Sequence, residues 1–313
     1  MIYKTMNDYI KADFFAAADS LKAEGRAEYE LSAPLSRCCT FRIGGPADMA
    51  VWPGDIEALS ALVCAAENSG TRYFICGSAS NILFSDEGFR GAIIFTTKLK
   101  KICVSGNTIH AECGAPLSLL AMAAQRASLS GLEFAYGIPG SLGGAVFMNA
   151  GAYGGEMSQI LISSEYLSPK SGKISSLSAA EHDFGYRHSL YMERDDIILS
   201  AVLELVPGDG DEIQRKMDEN MDARRSKQPL ESPSAGSMFK RAPGHFTSAL
   251  IDGAGLKGYK VGGAEVSSKH AGFVINTGDA TAADVIALTE HISSVIFEKY
   301  GVEIEREVRT VGP

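Results

Sequence analysis

An α+β chain of two or three domains is predicted, and three observations predict it. Strand-like and helix-like apolar periods alternate through the first two thirds of the chain. A cluster of turn residues, Pro207, Gly208, Asp209 and Gly210, then interrupts them. Beyond it a second series begins, with a glycine-rich middle, the strand-like AGFVIN at 271–276 and a long amphipathic period from Ala282 to Tyr300. A length of 313 residues supplies several cores, and 45% hydrophobic with 21% charged residues is ordinary for a globular protein.

In chain order, residues 7–25 read as an amphipathic helix with Ile10, Phe14, Ala18 and Leu21 on one stripe, an appendage occupying 1–29. A first lobe, 30–97, contains TFRIGG (40–45), a strand Ala47–Trp52 and a helix from Ile56 to Asn68 stopped by Gly70. The strand Thr71–Cys76, the loop GSASN (77–81) and the strand Ala92–Thr96 complete a β-α-β-β pattern. A second lobe, 98–207, opens with strands Ile102–Ser105 and Thr108–Glu112 around the Gly106–Asn107 turn. Pro116 starts a helix that runs to Ser130, where Gly131 ends it. Strands Ile160–Leu167, Lys173–Leu177 and Asp196–Leu205 follow. The third domain, 208–300, begins with a charged helix Asp211–Arg225 and ends with the helix Ala282–Tyr300, capped by Thr281. The last residues, 301–313, carry a strand Val302–Val311.

A net charge of −9 argues against nucleic acid and anionic membranes as partners. An anionic ligand must then be met by local cations or by the main chain. The six cysteines, Cys38, Cys39, Cys64, Cys76, Cys103 and Cys113, show no C-x-x-C spacing and read as buried, reduced thiols of a cytosolic protein. No apolar run reaches the roughly 20 residues that span a bilayer, and the N-terminus lacks a signal-peptide core. The six histidines are scattered without the i, i+4 spacing of a zinc helix, so no metal site is expected.

The densest chemical signal is GIPGSLGGAVFMNAGAYGG, residues 137–155, in which seven of nineteen residues are glycine. Ile138, Val146, Phe147 and Met148 give it too much apolar surface for a linker. Glycines at this density permit tight turns, and successive turns aim amide N–H groups into a concave space that holds phosphate. Turns between core strands are the plainer alternative. GSASN after the strand Thr71–Cys76 is a second loop of the same kind. Together they suggest a main-chain cradle for a pyrophosphate. G-x-G-x-x-G opening a helix is absent, as is G-K-[ST], and neither loop leads directly into an amphipathic helix. Around Ser141 the G-x-S-x-G elbow fails because Pro139 replaces its first glycine. Ser237–Lys240 forms S-x-x-K, but no K-T-G follows.

Seven strings in order then carry a resemblance: TFRIGGPAD, GSASNILFSDEGFRGAII, GLEFAYGIPGSLGGAVFMNAGAYGGEM, FGYRHS, PSAGSMFKR, LIDGAGLKGYKVGGAEVSSKHAGFVIN and EREVRTVG. From about residue 30 to the C-terminus the chain resembles the UDP-N-acetylenolpyruvoylglucosamine reductases, flavoenzymes of peptidoglycan precursor synthesis. The resemblance implies an α+β fold: a two-lobed FAD-binding unit of the vanillyl-alcohol-oxidase/PCMH type, an α/β substrate-binding domain, and a C-terminal strand returning to the active site. FAD would lie between the lobes, with Gly77, Ser78, Ala79, Ser80 and Asn81 on one side of its pyrophosphate. Gly137, Ile138, Pro139, Gly140, Ser141, Gly144 and Ala145 would form the other. Ala79 departs from the family, which has glycine there; alanine resists positive φ at roughly 1 kcal/mol.

The implied reaction passes hydride from NADPH through FAD to the enolpyruvyl double bond, in the cytoplasm and without a metal. Arg187 would clamp the substrate carboxylate, since a guanidinium presents a bidentate fork. Ser237 would protonate the enol carbon, and Glu307, protonated with substrate bound, would help hold the enolic carboxylate. Lys227 in K-x-P, Arg241 and Tyr186 are the candidates for substrate binding, Lys227 for the uridine diphosphate. Only seven residues separate Ser189 from Ile197, so the extra tyrosine-bearing loop of part of the family has no room here. An FAD-dependent oxidase of a sugar or alcohol on the same fold, and a non-catalytic nucleotide-sugar binder, are the competing readings; a monomer is the expected state. No histidine lies between Met1 and Lys101 to carry flavin covalently. Acid or heat should therefore release FAD into the supernatant, whereas flavin left on the precipitated protein would favour the oxidase.

Overall fold

The computed structural model describes residues 9–313, and the chain divides into two compact units, each drawn from three stretches. The first holds the described residues up to Leu31, Asp48–Ser78 and Gly91–Ala223; the second holds Ser32–Ala47, Ala79–Arg90 and Arg224–Pro313. The expected boundaries after 97 and 207 therefore do not separate units. Nor is the N-terminal helix an appendage. It runs Ala12–Ala23, and Phe14 and Ala18 are fully buried in the same core as helix Ile56–Ser69. Residues 7 and 8 of the expected helix lie outside the described residues.

A four-stranded sheet has the order Ala27–Pro34, Pro46–Pro53, Phe89–Phe95, Tyr73–Cys76. The last two strands are parallel, with Tyr73 opposite Ala92 and Cys76 opposite Phe95. Ala27–Pro34 is a strand that periodicity missed, because only Ala27 and Ala33 of its eight residues are buried. A five-stranded antiparallel sheet follows in the order Lys173–Ser178, Leu161–Ser168, Ile197–Glu204, Thr108–Glu112, Ile102–Ser105. One core cluster runs through the first unit, from Ile10 to Met217. Helix Gly210–Lys227 explains why the turn cluster at 207–210 is no boundary. Its residues Ile213 and Met217 are buried in that core, and Asn220 donates to the carbonyl of Glu133 at 3.2 Å.

Two further differences are local. The helix opened by Pro116 spans only Leu117–Arg126. Ser128 at φ +54 then turns the chain into the strand Leu129–Ser130, paired with Val206–Pro207. The expected burial of all cysteines also fails. Cys64 faces outward on its helix and Cys103 outward on an edge strand, although all six are free thiols.

The second unit carries a four-stranded sheet in the order Ser234–Ser237, Phe273–Asn276, Ala264–Val266, Lys260–Val261. Helix Ala282–Tyr300 packs on the last two strands and on helix Thr247–Gly253. Its start is heavily capped. Thr281 and Asp284 form a reciprocal capping box, and the Asp86 carboxylate accepts from the amides of Ala282 (2.7 Å) and Ala283 (3.0 Å). The first-turn donors of a helix need acceptors, and here local and distant side chains both supply them. The C-terminal strand is shorter than expected. Only Arg309–Val311 is a strand, pairing in parallel with Ile82–Phe84, while Arg306 makes a single bridge to Phe239.

Helix Ile56–Ser69 shows how a cap can be charged. The Asp55 carboxylate accepts from the amide of Ala58 (2.7 Å) and from the Arg26 guanidinium at 2.9 and 2.7 Å. The hydrogen bonds from Arg26 hold this carboxyl down at about 2, against the small opposing effect of partial burial. A depressed carboxyl stabilises the fold fully above its unfolded value and progressively less as pH falls toward 2. The pair is partly exposed, so Asp55→Ala is expected to cost about 1–2 kcal/mol at neutral pH, most of it from the cap. Denaturant melts should show the difference from the parent shrinking between roughly pH 4 and pH 2.

Candidate active site

The first unit brings the two glycine loops into contact. A Cβ on Gly77 would land on the Ser141 hydroxyl oxygen, so the end of the Tyr73–Cys76 strand lies close against this turn. The turn itself is held from below. The Gly140 carbonyl accepts from Leu117, and the Ile138 amide donates to Ala135 (both 3.0 Å). Ser141 then opens a six-residue helix, Leu142–Phe147, where no helix was expected. Its first two amides are already used, Leu142 donating to Ala115 (2.9 Å) and Gly143 to Cys113 (2.7 Å). Ala145 donates to Ser141 and turns its methyl into the core, so neither its amide nor its side chain faces a ligand. Gly144, by contrast, is exposed.

The chain passes into the second unit between Ser78 and Ala79. Ala79 has φ +48 and is buried, so the family's glycine position does require positive φ here. The amides of Ser78, Ala79, Ser80 and Asn81 donate to no acceptor among the described residues. A run of unspent donors beside a turn is the kind of concavity that receives phosphate oxygens. These residues fit the pyrophosphate of a dinucleotide cofactor. Asn81 also reaches along the second unit, its side-chain amide donating to the Glu307 carbonyl (3.2 Å) and its own carbonyl accepting from Arg309 (3.1 Å).

Arg187 stands at the tip of a two-residue turn. Gly185 and His188 exchange both main-chain hydrogen bonds at 3.2 Å, leaving Tyr186 and Arg187 between them. Arg187 has φ +54 in the turn position that favours glycine. Three contacts tie this turn to the glycine stretch. The Asn149 side chain donates to Gly185 O (3.0 Å), the Ser189 hydroxyl to Phe147 O (2.6 Å), and Arg187 Nη2 to Gly151 O (3.3 Å). Arg187 also lies over the exposed ring of Tyr186 at 5.2 Å. Asn149 (φ +44) and Ser189 were not singled out from sequence, although Asn149 sits inside the glycine-rich string.

In the second unit the segments of Ser237 and Glu307 lie side by side. Ser237 ends an edge strand opposite Phe273 and is exposed, with Gly236 at φ +79 before it. The next residue, Met238, is pinned on both sides: its amide donates to Gly272 (2.8 Å), and its carbonyl accepts from Glu307 (2.9 Å). The amide of Lys240 donates to the Glu305 carbonyl (2.9 Å), and its ammonium pairs with the Glu305 carboxylate at 2.7 Å. That ion pair engages the lysine of the S-x-x-K string. Lys227, the last residue of its helix, is exposed, and Arg241 lies over the Phe246 ring at 4.7 Å. No group of three or more metal-ligating side chains occurs among the described residues.

A cradle of this kind beside a mixed sheet defines a nucleotide-cofactor protein, and the comparisons make it a flavoprotein: residues 47–178 match the FAD binding domain family. Residues 228–311 match the C-terminal domain of UDP-N-acetylenolpyruvoylglucosamine reductase. The reductase of Levilactobacillus brevis is 49% identical, over 89% of this chain and 91% of its own. That of Pediococcus pentosaceus is 46% identical over 98% and 99%. The solved UDP-N-acetylenolpyruvylglucosamine reductase of Thermus caldophilus superposes with a TM-score of 0.76 at 34% identity, covering 91% of this chain and 98% of that one. The chain belongs to the UDP-N-acetylenolpyruvoylglucosamine reductase family.

The φ of Ala79 sharpens one expectation. Replacing it with glycine relieves about 1–2 kcal/mol of left-handed strain. The change also removes a buried methyl worth about 0.8 kcal/mol and adds unfolded-chain freedom of about 0.5–1 kcal/mol. Ala79→Gly should therefore leave stability within about 1 kcal/mol of the parent and FAD affinity equal or tighter. Ala79→Val, β-branched at positive φ, should lose at least about 2 kcal/mol and bind FAD more weakly. Denaturant melts and flavin titration check both variants.

Proposed function

We propose that this protein reduces the enolpyruvyl ether of UDP-N-acetylglucosamine to UDP-N-acetylmuramate for peptidoglycan synthesis, in the cytoplasm and as a monomer. Its substrates are small molecules, and the net charge of −9 disfavours nucleic acid. Among the described residues no helix is long and apolar enough to cross a membrane. The chemistry that bound FAD would supply is hydride transfer between NADPH and the enolpyruvyl double bond. The FAD pyrophosphate is assigned to the unspent amides of Ser78–Asn81 and, as the resemblance implies, to the turn at Gly137–Ser141.

The rest of the chemistry falls to side chains. One carbon of the double bond receives hydride, and negative charge then builds on its neighbour and on the attached carboxylate. Arg187 meets that carboxylate with a guanidinium fork whose backbone the turn already fixes. The Ser237 hydroxyl gives its proton to the neighbouring carbon. Serine is a weak acid, so this works only toward a strongly basic carbanion, which this step generates. Glu307, as the acid, donates to the enolic carboxylate and disperses its charge. Lys227, with Arg241 near it in sequence, is assigned to the uridine diphosphate, and Tyr186 to substrate binding. The observation that supports the reading is the bond from Glu307 N to Met238 O, which joins the segments of Glu307 and Ser237.

Stopped-flow separation of the two half-reactions tests it. Ser237→Ala should still bleach the flavin with NADPH within about tenfold of the parent, yet react with the enolpyruvyl substrate at least about a hundredfold more slowly. Glu307→Gln should show the same asymmetry more mildly, because an amide still donates. Arg187→Ala should weaken substrate binding as well as the second half-reaction. Equal slowing of both halves by Ser237→Ala would refute the proton-donor role.

A further inference from the structure

Beneath the Arg187 turn lies a buried polar cluster that the reaction does not use. Ser164, in a central strand of the five-stranded sheet, is 1% exposed; His182 and Tyr191 are 0% and 1% exposed. The Ser164 hydroxyl oxygen is 2.8 Å from His182 Nε2 and 2.6 Å from the Tyr191 hydroxyl. The other imidazole nitrogen, His182 Nδ1, is 2.7 Å from the Ser178 carbonyl. Proton counting orders the chain. A carbonyl only accepts, so Nδ1 carries the hydrogen, and Nε2 of the neutral ring must accept from Ser164. Ser164 has then spent its one hydrogen and accepts from Tyr191. Burial pushes the His182 imidazole toward that neutral form.

The positions of these residues give the cluster its significance. His182 and Tyr191 bracket residues 183–190, which include the whole Gly185–His188 turn. One hydroxyl therefore closes both ends of the segment that presents Arg187. Phe184 stacks on His182 at 4.9 Å, extending the clasp into the segment. Asp183 (φ +47) and Arg187 (φ +54) both hold unfavourable backbone conformations inside it. Such conformations persist only where the surroundings over-determine them.

We infer that Ser164, His182 and Tyr191 are positioning residues for Arg187, the Ser164 hydroxyl acting as a clasp that fixes the turn from which the guanidinium meets the substrate carboxylate. The inference rests on the reading of Arg187 as the carboxylate clamp. A clasp of this sort acts on substrate affinity and leaves the NADPH half-reaction alone, because a small misplacement of one binding group is expensive only where that group works.

The test is a double-mutant cycle in the FAD-loaded enzyme, with Tyr191→Phe as the probe because it removes one hydroxyl and keeps the ring. Calorimetric titration with UDP-N-acetylglucosamine enolpyruvate should show Kd raised about tenfold by Tyr191→Phe. Flavin bleaching by NADPH should stay within about twofold, and in an Arg187→Ala background the same change should move Kd less than about twofold. Ser164→Ala should behave as Tyr191→Phe does, and Ser164→Thr, which keeps the hydroxyl, should recover most of the affinity. An equal Kd shift in both backgrounds would reduce the cluster to general core support and overturn the inference. So would an unchanged Kd in Tyr191→Phe while Arg187→Ala still weakens binding. If Arg187→Ala itself leaves Kd unchanged, the carboxylate-clamp reading falls first and takes the clasp with it.

Discussion

A Cβ on Gly77 would meet the Ser141 hydroxyl oxygen, so a larger residue there would have to turn that hydroxyl away. This close approach sets a sequence of positions. With the strand end and the turn in contact, Ser141 opens the short Leu142–Phe147 helix. The helix delivers Asn149, whose positive φ turns the chain back and whose side chain catches Gly185. Gly185 begins the turn that carries Arg187. The Gly137–Ser141 turn and a cationic side chain, separated by more than forty residues of sequence, are thus placed by one continuous set of short contacts within the first unit.

How much of this could be read beforehand follows the range of the interactions. Helix Ala282–Tyr300 is legible from end to end because its apolar period and its start signal, Thr281, are local. The strands around Gly106–Asn107 were legible for the same reason. The Leu142–Phe147 helix was not. Two of its six residues are glycine, which propensity counts against a helix, and it exists because Ala115 and Cys113 offer distant carbonyls to its first amides. The helix after Pro116 was read too long because the Leu129–Ser130 strand is defined only by its partner at Val206–Pro207. The site divides in the same way. Arg187, Ser237 and Glu307 are proposed from the strings around them, whereas Ser164, His182 and Asn149 make contacts with partners that sequence spacing does not reveal.

The interleaving of the two units was hidden by a related effect. Pro207–Gly208–Asp209–Gly210 has the composition of a linker, and composition was the only guide to a boundary there. The helix behind it is charged overall, yet it commits Ile213 and Met217 to the first unit's core. Two buried apolar residues in eighteen are enough to hold a helix while leaving its average polarity high. In the opposite direction, the stretches 32–47 and 79–90 look like parts of the first lobe by order but group with the C-terminal residues. Asp86 shows the reason, since its carboxylate caps a helix that begins almost two hundred residues later.

The backbone of Arg187 adds a last point about how this protein holds a functional side chain. A glycine at its turn position would be free of strain, and arginine there costs about 1–3 kcal/mol. The turn compensates with bonds that do not involve the guanidinium: the Gly185–His188 pair, Asn149 to Gly185, and Ser189 to Phe147. Hydrogen bonds of this kind contribute about 1 kcal/mol each, which is enough in sum to hold the strained conformer. The direction in which the side chain leaves the backbone is therefore set before any ligand arrives, and by groups other than those that bind it. An arginine steered only by salt bridges would have to exchange those partners for the substrate. One steered by its backbone enters any binding event with the direction of its side chain already set, so less conformational freedom is left to lose.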